Sequence, residues 1–335
     1  MNEEFHYYTV AVVARAAGFC HEEAVTLAYA SQYVDDATES EPIRVGETLF
    51  EPVRTAYLGP FATSWSVQKR IYIPFHFLPP HPMDGGPVDF VTRANSPFAR
   101  ALVNAAAREV GKGGWLCRLG VALHTYADSW AHEGFSGRLH EENDIEDIHQ
   151  LRNRRWRPLG WQNVVWDFLP DIGHAEAGNL PDLAWVTWRY RKAGATTPVV
   201  RENPRLFLRA ARAIYGRLRR LLRSSRPPQS PWKALAGTVA QLLADPQEEA
   251  QRRCRAWQEV YRGLFGEELP TYDRYTWRSK ALAPIASRDL EWDSFKPDDF
   301  RHLRFPGGSD FLASNWVAFH RAALRQRHLV LEQLL

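Results

Sequence analysis

The segment Leu119–Gly137, LGVALHTYADSWAHEGFSG, decides how the chain is read. Leu119, Val121, Ala122 and Leu123 open it as a buried apolar helix, yet His124, Asp128 and His132 follow at steps of four. A helix turns 100° per residue, so each step of four rotates a side chain by only ~40°. The three polar residues therefore share about 80° of one face along ~12 Å of axis. Charges buried on such a face are costly without a partner. Imidazole and carboxylate are what a divalent ion such as Zn²⁺ takes at a hydrolytic site. The spacing suits two neighbouring metal ions with Asp128 reaching both. The plainer alternative is three polar residues near a helix end, hydrogen-bonded to their neighbours.

Other metal-ligand residue types lie outward from this helix. His6 sits in a helical stretch, Glu4–Ala17, that Gly18 ends as a typical C′ residue. A second helix runs from His21 to Asp35, with Glu22 and Glu23 suiting its N-terminal dipole. Asp35 and Asp36 end it, where acid opposes the dipole and points to a nearby cation. His76 lies in RIYIPFHF, Arg70–Phe77, which reads as extended and is stopped by Pro79, Pro80 and Pro82. His174, Glu176 and Asp182 fall in the glycine-flanked turn DIGHAEAGNLPD. Taken singly, each has an ordinary structural reading: core histidine, solvated acid pair or loop cap.

The remaining chain is mainly helical. Ser96-Pro97 starts a helix to about Val110, and Glu133–Gly173 reads as irregular. Ala184–Arg191 reads as a strand or a helix start. Further helices are expected from Asn203 to about Ser224, over Trp232–Ala244 and Pro246–Phe265, and as one long helix over Asp310–Leu334. The expected fold is mainly α, a multi-helix bundle with irregular loops and a short β-hairpin. Residues 1–200 form its metal-binding core and residues 201–335 a helical extension packed on it, or the two make one domain.

Composition narrows the function. Hydrophobic residues make up 45% and charged residues 24%, as in an ordinary globular protein. A net charge of +3, from 42 basic and 39 acidic residues, does not by itself indicate nucleic acid. The arginine-rich stretch Arg201–Arg226 reads as a solvated helix face, with an anionic surface as the sharper alternative. Three cysteines without CxxC spacing suggest free thiols in a reducing compartment. With no readable signal peptide and no uncharged apolar run of about 18 residues, the expected location is cytoplasmic, without a transmembrane segment. Tyr7, Tyr8, Tyr126, Trp130, Phe135, Trp161 and Trp166 read as core, with a stacking platform or lipid wall as the alternative.

The order His6, Asp35/Asp36, His76, ALHTYADSWAH and GHAEAGNLPD resembles the zinc-dependent phospholipase C and single-strand nuclease superfamily. It also resembles a bacterial family related to those enzymes, in which phrases like FHYY, YASQYVDD, IPFHF and GHAEAG recur. The resemblance covers roughly residues 4–190. It implies a multi-helix fold and a metal-dependent hydrolase of a small-molecule or lipid phosphoester. It further implies that His76, His124, Asp128 and one of Asp35 or Asp36 hold one zinc. Asp128 as a bridge, His132, His174 and either Glu176 or Asp182 hold a second, and His6 contributes to a third position. Asp128 and Asp35 or Asp36 become the catalytic carboxylates, the latter accepting a proton from water; another divalent metal is an alternative to zinc. The chain departs from that pattern in three places. It begins with Met1 where those enzymes expose a tryptophan, Asp128 precedes His132 by four residues rather than six, and the residue four after His174 is Gly178.

Two other function classes fit parts of the sequence. A di-iron oxidase needs paired ExxH motifs, of which Glu146–His149 is one. A non-enzymatic helical module would close its metal with four protein ligands.

Overall fold

The computed structural model describes residues 1–45, 48–57, 59–81, 89–159, 172–222, 226–282, 304–305 and 309–334. The fold is mainly α, as expected, with two small sheets. The first helix is wound in two ways. Glu4–Thr9 (π1) is π-helical, and the Val10 N–H reaches back five residues to Phe5 O. Val10–Ala17 (α1) is α-helical and ends at Gly18, whose φ of 113° a side chain would oppose. His21–Asp36 (α2) follows, with Glu23 Oε2 accepting the Cys20 N–H at 2.9 Å.

Trp115–Ala131 (α5) is the central helix. It packs against α2, α1's neighbour, and against Pro97–Ala107 (α4), Asn203–Leu222 (α6) and Asn315–Leu334 (α11). Gly120 sets the α2–α5 distance: a Cβ there would lie 2.6 Å from both Ala30 Cβ and Leu27 O. One buried core takes in residues from Phe5 to Leu334, so the helices beyond residue 200 share it with those before. Among the described residues the C-terminal half also has Trp232–Ala244 (α7), Ala250–Phe265 (α8) and Thr276–Leu282 (α9), with Ser309–Ala313 (α10) before α11.

Several boundaries differ from the sequence reading. Arg70–Phe77 is not extended: Trp65–Val67 (α3) runs into a π-helix, Gln68–His76 (π2). Pro74 explains both the misreading and the winding, because it cannot donate in an i→i−4 ladder and its ring crowds that carbonyl. The Phe77 N–H instead bonds Tyr72 O, five residues back, at 2.8 Å. Glu133–Gly173 is not irregular throughout. Ile145–Arg152 (β3) and Arg155–Pro158 (β4) form a hairpin, joined by Thr187–Lys192 (β5) and Val199–Glu202 (β6) in the antiparallel order β4-β3-β5-β6. Glu146 and His149 therefore lie on a strand, not on a bundle helix, and the ExxH reading has no scaffold.

A second sheet pairs Ile43–Val45 (β1) with Thr48–Phe50 (β2) and, in parallel, with Arg304–Phe305 (β7). The last helix is interrupted at Ser314, whose Oγ donates to Phe311 O and accepts the Val317 N–H. The helix expected from Pro246 starts at Ala250. Tyr7, Tyr8, Tyr126, Trp130 and Phe135 are buried core residues and offer no platform, while Trp161 and Trp166 lie outside the described residues. Among the described residues no helix is long and apolar enough to cross a membrane.

Candidate metal centre

The polar face of α5 meets three other elements. His124 and Asp128 face inward from α5, and His132 is its C-cap. The end of α2 brings Asp35, π2 ends on His76, and π1 carries His6. Four ligand-type atoms then come close together. His124 Nε2 is 3.1 Å from Asp128 Oδ2, 3.2 Å from His76 Nδ1 and 3.6 Å from Asp35 Oδ1. His76 Nδ1 is 3.2 Å from Asp128 Oδ2 and 3.7 Å from Asp35 Oδ1. Tetrahedral zinc with bonds of ~2.0–2.1 Å separates its ligand atoms by about 3.3–3.4 Å. His76 Nδ1 and His124 Nε2 stand near that spacing from each other, from Asp35 Oδ1 and from Asp128 Oδ2; Asp35 with His76 and His124, and Asp128 with His6 and His124, make two groups that share His124.

Backbone carbonyls fix the tautomers. The second nitrogen of His124, Nδ1, donates to Ser31 O at 2.8 Å, and His76 Nε2 donates to Thr55 O at 2.9 Å. A carbonyl only accepts, so each of these nitrogens carries the proton. In the neutral rings the inward nitrogens are then bare lone pairs, aimed at each other and at two carboxylates. Such a set of acceptors calls for a proton or a metal ion among them: burial lowers His76, yet Asp128 and Asp35 outweigh it and raise it, and carbonyls that orient imidazoles are also the usual outer shell of a metal site.

A second group forms from His132, His174 and Asp182. Asp182 Oδ1 is 3.0 Å from His132 Nε2, and its Oδ2 is 3.3 Å from His174 Nε2. Again the outer nitrogens donate to carbonyls, His132 Nδ1 to His76 O and His174 Nδ1 to Gly178 O, both at 2.9 Å. Asn203 brackets Asp182 by donating from Nδ2 to Leu180 O (2.7 Å) and Leu183 O (2.8 Å).

Asp128 faces a third cluster with its other oxygen. Oδ1 is 3.0 Å from His6 Nε2 and 2.5 Å from the Met1 amino nitrogen, which in turn is 3.0 Å from Asp182 Oδ1. The expected bridge by Asp128 thus joins the first group to His6, and the amino group stands between Asp128 and Asp182. His6 stacks on His124 with ring centroids 3.9 Å apart.

Electrostatics follow from this packing. Burial alone would raise Asp128, but the Met1 ammonium and His132, His124 and His6 hold it well below the carboxylate range. Asp182 is likewise held low, against burial, by Met1, His174 and His132. Burial lowers the Met1 ammonium, yet Asp128, Asp182 and Asp35 outweigh it and raise it to about 11. Burial, with His132, pushes His174 down to about 4, which favours the neutral ring a metal binds.

Two expected residues are elsewhere. Asp36 Oδ2 accepts from Tyr272 Oη at 2.8 Å and Gln32 Nε2 at 3.0 Å. Glu176 Oε2 accepts the Ile145 N–H at 2.7 Å and belongs to none of the three groups. Of each pair of alternatives in the sequence, the other member, Asp35 or Asp182, is the one that lies among the clustered histidines. The Met1 amino group and the carbonyls of Ser31, Thr55, His76 and Gly178 were not legible, since main-chain groups leave no residue signature. A cavity of about 960 Å³ is walled by residues including Asn2, Gly178, Trp185 and Gln258, and none of the ten candidate residues lines it.

No curated protein and no solved structure matches the chain. A family model does, over residues 1–334, and by that match the chain belongs to DUF6765, described as a family of unknown function.

Proposed function

We propose that this protein is a metal-dependent hydrolase that cleaves a phosphoester. One observation carries the reading: the inward nitrogens of His76 and His124 stand 3.1–3.7 Å from one oxygen each of Asp35 and Asp128, with both imidazole tautomers set by main-chain carbonyls. The phosphoester comes from the resemblance of the ligand order to the zinc phospholipase C and nuclease superfamily. A small-molecule or lipid phosphoester fits the mild net charge of +3 better than nucleic acid does.

Asp35, His76, His124 and Asp128 would hold one zinc ion, and His132, His174 and Asp182 a second. Zinc bound there supplies a water of lowered pKa and a Lewis acid for a phosphoryl oxygen. The first group has four protein ligands, as closed structural sites do. The second has three, with Asp182 21% and His174 17% exposed, which suits the open position of a catalytic site. Of the two adjacent acids, Asp35, 31% exposed, would be the one to accept a proton from water through its free oxygen, since Asp36 is tied to Tyr272. His76 and His132 orient the site through their carbonyl-bonded rings. Free cysteines among the described residues fit a reducing compartment, the cytoplasm.

The test is metal content of the purified protein together with turnover of bis(p-nitrophenyl) phosphate. About two zinc ions per chain and loss of turnover in Asp128→Ala support the reading. Stoichiometric iron without phosphoesterase activity, or full activity in a His124→Ala, His132→Ala double variant, overturns it.

A further inference from the structure

The arginine-rich stretch begins with a residue that is not on its solvated face. Arg201 sits on β6, is 5% exposed, and points at the C-terminus of α5. The last carbonyls of a helix have no partner within it. Arg201 Nη2 donates to Trp130 O at 2.6 Å and Ala131 O at 2.9 Å, and Nη1 reaches Glu133 O at 3.3 Å and Glu133 Oε2 at 3.2 Å. The residue enclosed by these carbonyls is His132, the helix C-cap, with φ −92° and ψ 12°.

We propose that Arg201 is a positioning residue for the His132–His174–Asp182 group, an inference that rests on the metal reading above. The guanidinium holds the main chain on both sides of His132. Its charge also sits where the helix dipole favours a cation. With the backbone fixed, the His132 ring is set by its Nδ1 bond to His76 O and by stacking on Phe77 at 4.6 Å, 22° between planes. That leaves Nε2 at 3.0 Å from Asp182. The planar fork reaches three carbonyls at once; a lysine ammonium at the same place keeps the charge but not the geometry. The first group depends on Asp128 and His124, one and two turns inside the helix, and lies outside the span Arg201 clamps.

Cobalt(II) titration of metal-free protein, followed by visible absorption, reads the two groups. In Arg201→Lys and Arg201→Met, one cobalt is expected to bind with wild-type affinity and the other 10–100-fold more weakly, the usual effect of losing an outer-shell partner. Lys retains the charge should the Met variant fail to fold. Arg209→Met, which removes an exposed arginine over the Trp130 ring, is expected to bind both as wild type. A merely structural arginine lowers the unfolding midpoint and leaves both affinities unchanged; that result overturns the proposal alone. If the unaltered protein binds no cobalt, the metal reading falls and takes this one with it.

Discussion

Replacing Asp128 by Asn changes one atom in the middle of the cluster, and the structure indicates what it disturbs. The carboxylate is 1% exposed; Oδ1 faces the Met1 ammonium and His6, and Oδ2 faces the bare nitrogens of His76 and His124. An amide must aim its NH₂ one way or the other. Toward Met1 it sets donor against donor; toward the histidines it withdraws an oxygen that a metal would need. In either orientation the negative charge is gone, and the buried ammonium keeps Asp182 at 3.0 Å and the more distant Asp35. Removing one partner of a buried pair costs about 3–5 kcal/mol, so urea unfolding of metal-free Asp128→Asn is expected to show a loss of that order. Zinc at a hundred times its Kd stabilises the wild type by about 2.7 kcal/mol per site, and the variant should not gain the first-group share. The sign with pH follows from the depressed pKa of Asp128. Its contribution is full above the unfolded carboxylate value of ~3.9 and is lost as pH falls toward the folded one, so wild type and variant should converge in acid. Plasma mass spectrometry would complete the test. An Asn variant that keeps the full zinc complement and the wild-type zinc stabilisation would refute the placement of Asp128.

Three further outcomes are expected. Burial would raise Glu39, but His320 at 3.4 Å and the Tyr33 hydroxyl at 2.6 Å bring its pKa down from 4.5 to about 2. Glu39→Gln should therefore lose about 3 kcal/mol at pH 7, with the difference from wild type fading between pH 4.5 and about 2 in acid unfolding curves. Gly120→Ala should destabilise by about 1–3 kcal/mol in thermal or denaturant unfolding, although Ala is the better helix former, because its Cβ meets Leu27 O at 2.6 Å. Metal analysis should separate the neighbouring acids. Asp182→Asn and Asp35→Asn lose metal, whereas Glu176→Gln and Asp36→Asn retain it, and the reverse pattern would show that the acids are misassigned.

What could be read from the sequence was the helix period and the residue types it carries. His124, Asp128 and His132 share a face because α5 is a regular α-helix, so spacing alone was enough. The choice between Asp35 and Asp36 was not readable, because adjacent residues at a helix end differ by 100° and only the packing of Tyr272 shows which one is taken up elsewhere. The residue types mark His76 as a candidate but not its backbone, since proline and β-branched residues argue for an extended chain when only the 3.6 and 2 periods are considered. Arg201 was hidden by its neighbours: a basic residue at the head of a basic run reads as solvated until β6 places it under α5.

The two π-helical segments bear on why the cluster assembles at all. Each carries one of the histidines that α5 cannot supply, His6 within π1 and His76 at the end of π2. Wide turns are uncommon and tend to occur at functional sites. In π2 the winding is supported from outside: Gln326 on α11 donates to Pro74 O at 3.1 Å and to Thr125 Oγ1 at 2.7 Å, while Thr125 Oγ1 donates to Phe75 O at 2.8 Å. The C-terminal helix thus ties π2 to α5 within two residues of His76 and between His124 and Asp128. His320, on the same helix, accepts the Val53 N–H at 3.0 Å, two residues before the Thr55 carbonyl that sets the His76 tautomer. The C-terminal segment contributes none of the candidate ligands, yet it holds both the backbone that carries His76 and the carbonyl that orients its ring. A metal group built this way depends on the helices beyond residue 200 for its geometry, although every residue type that suggested it lies before them.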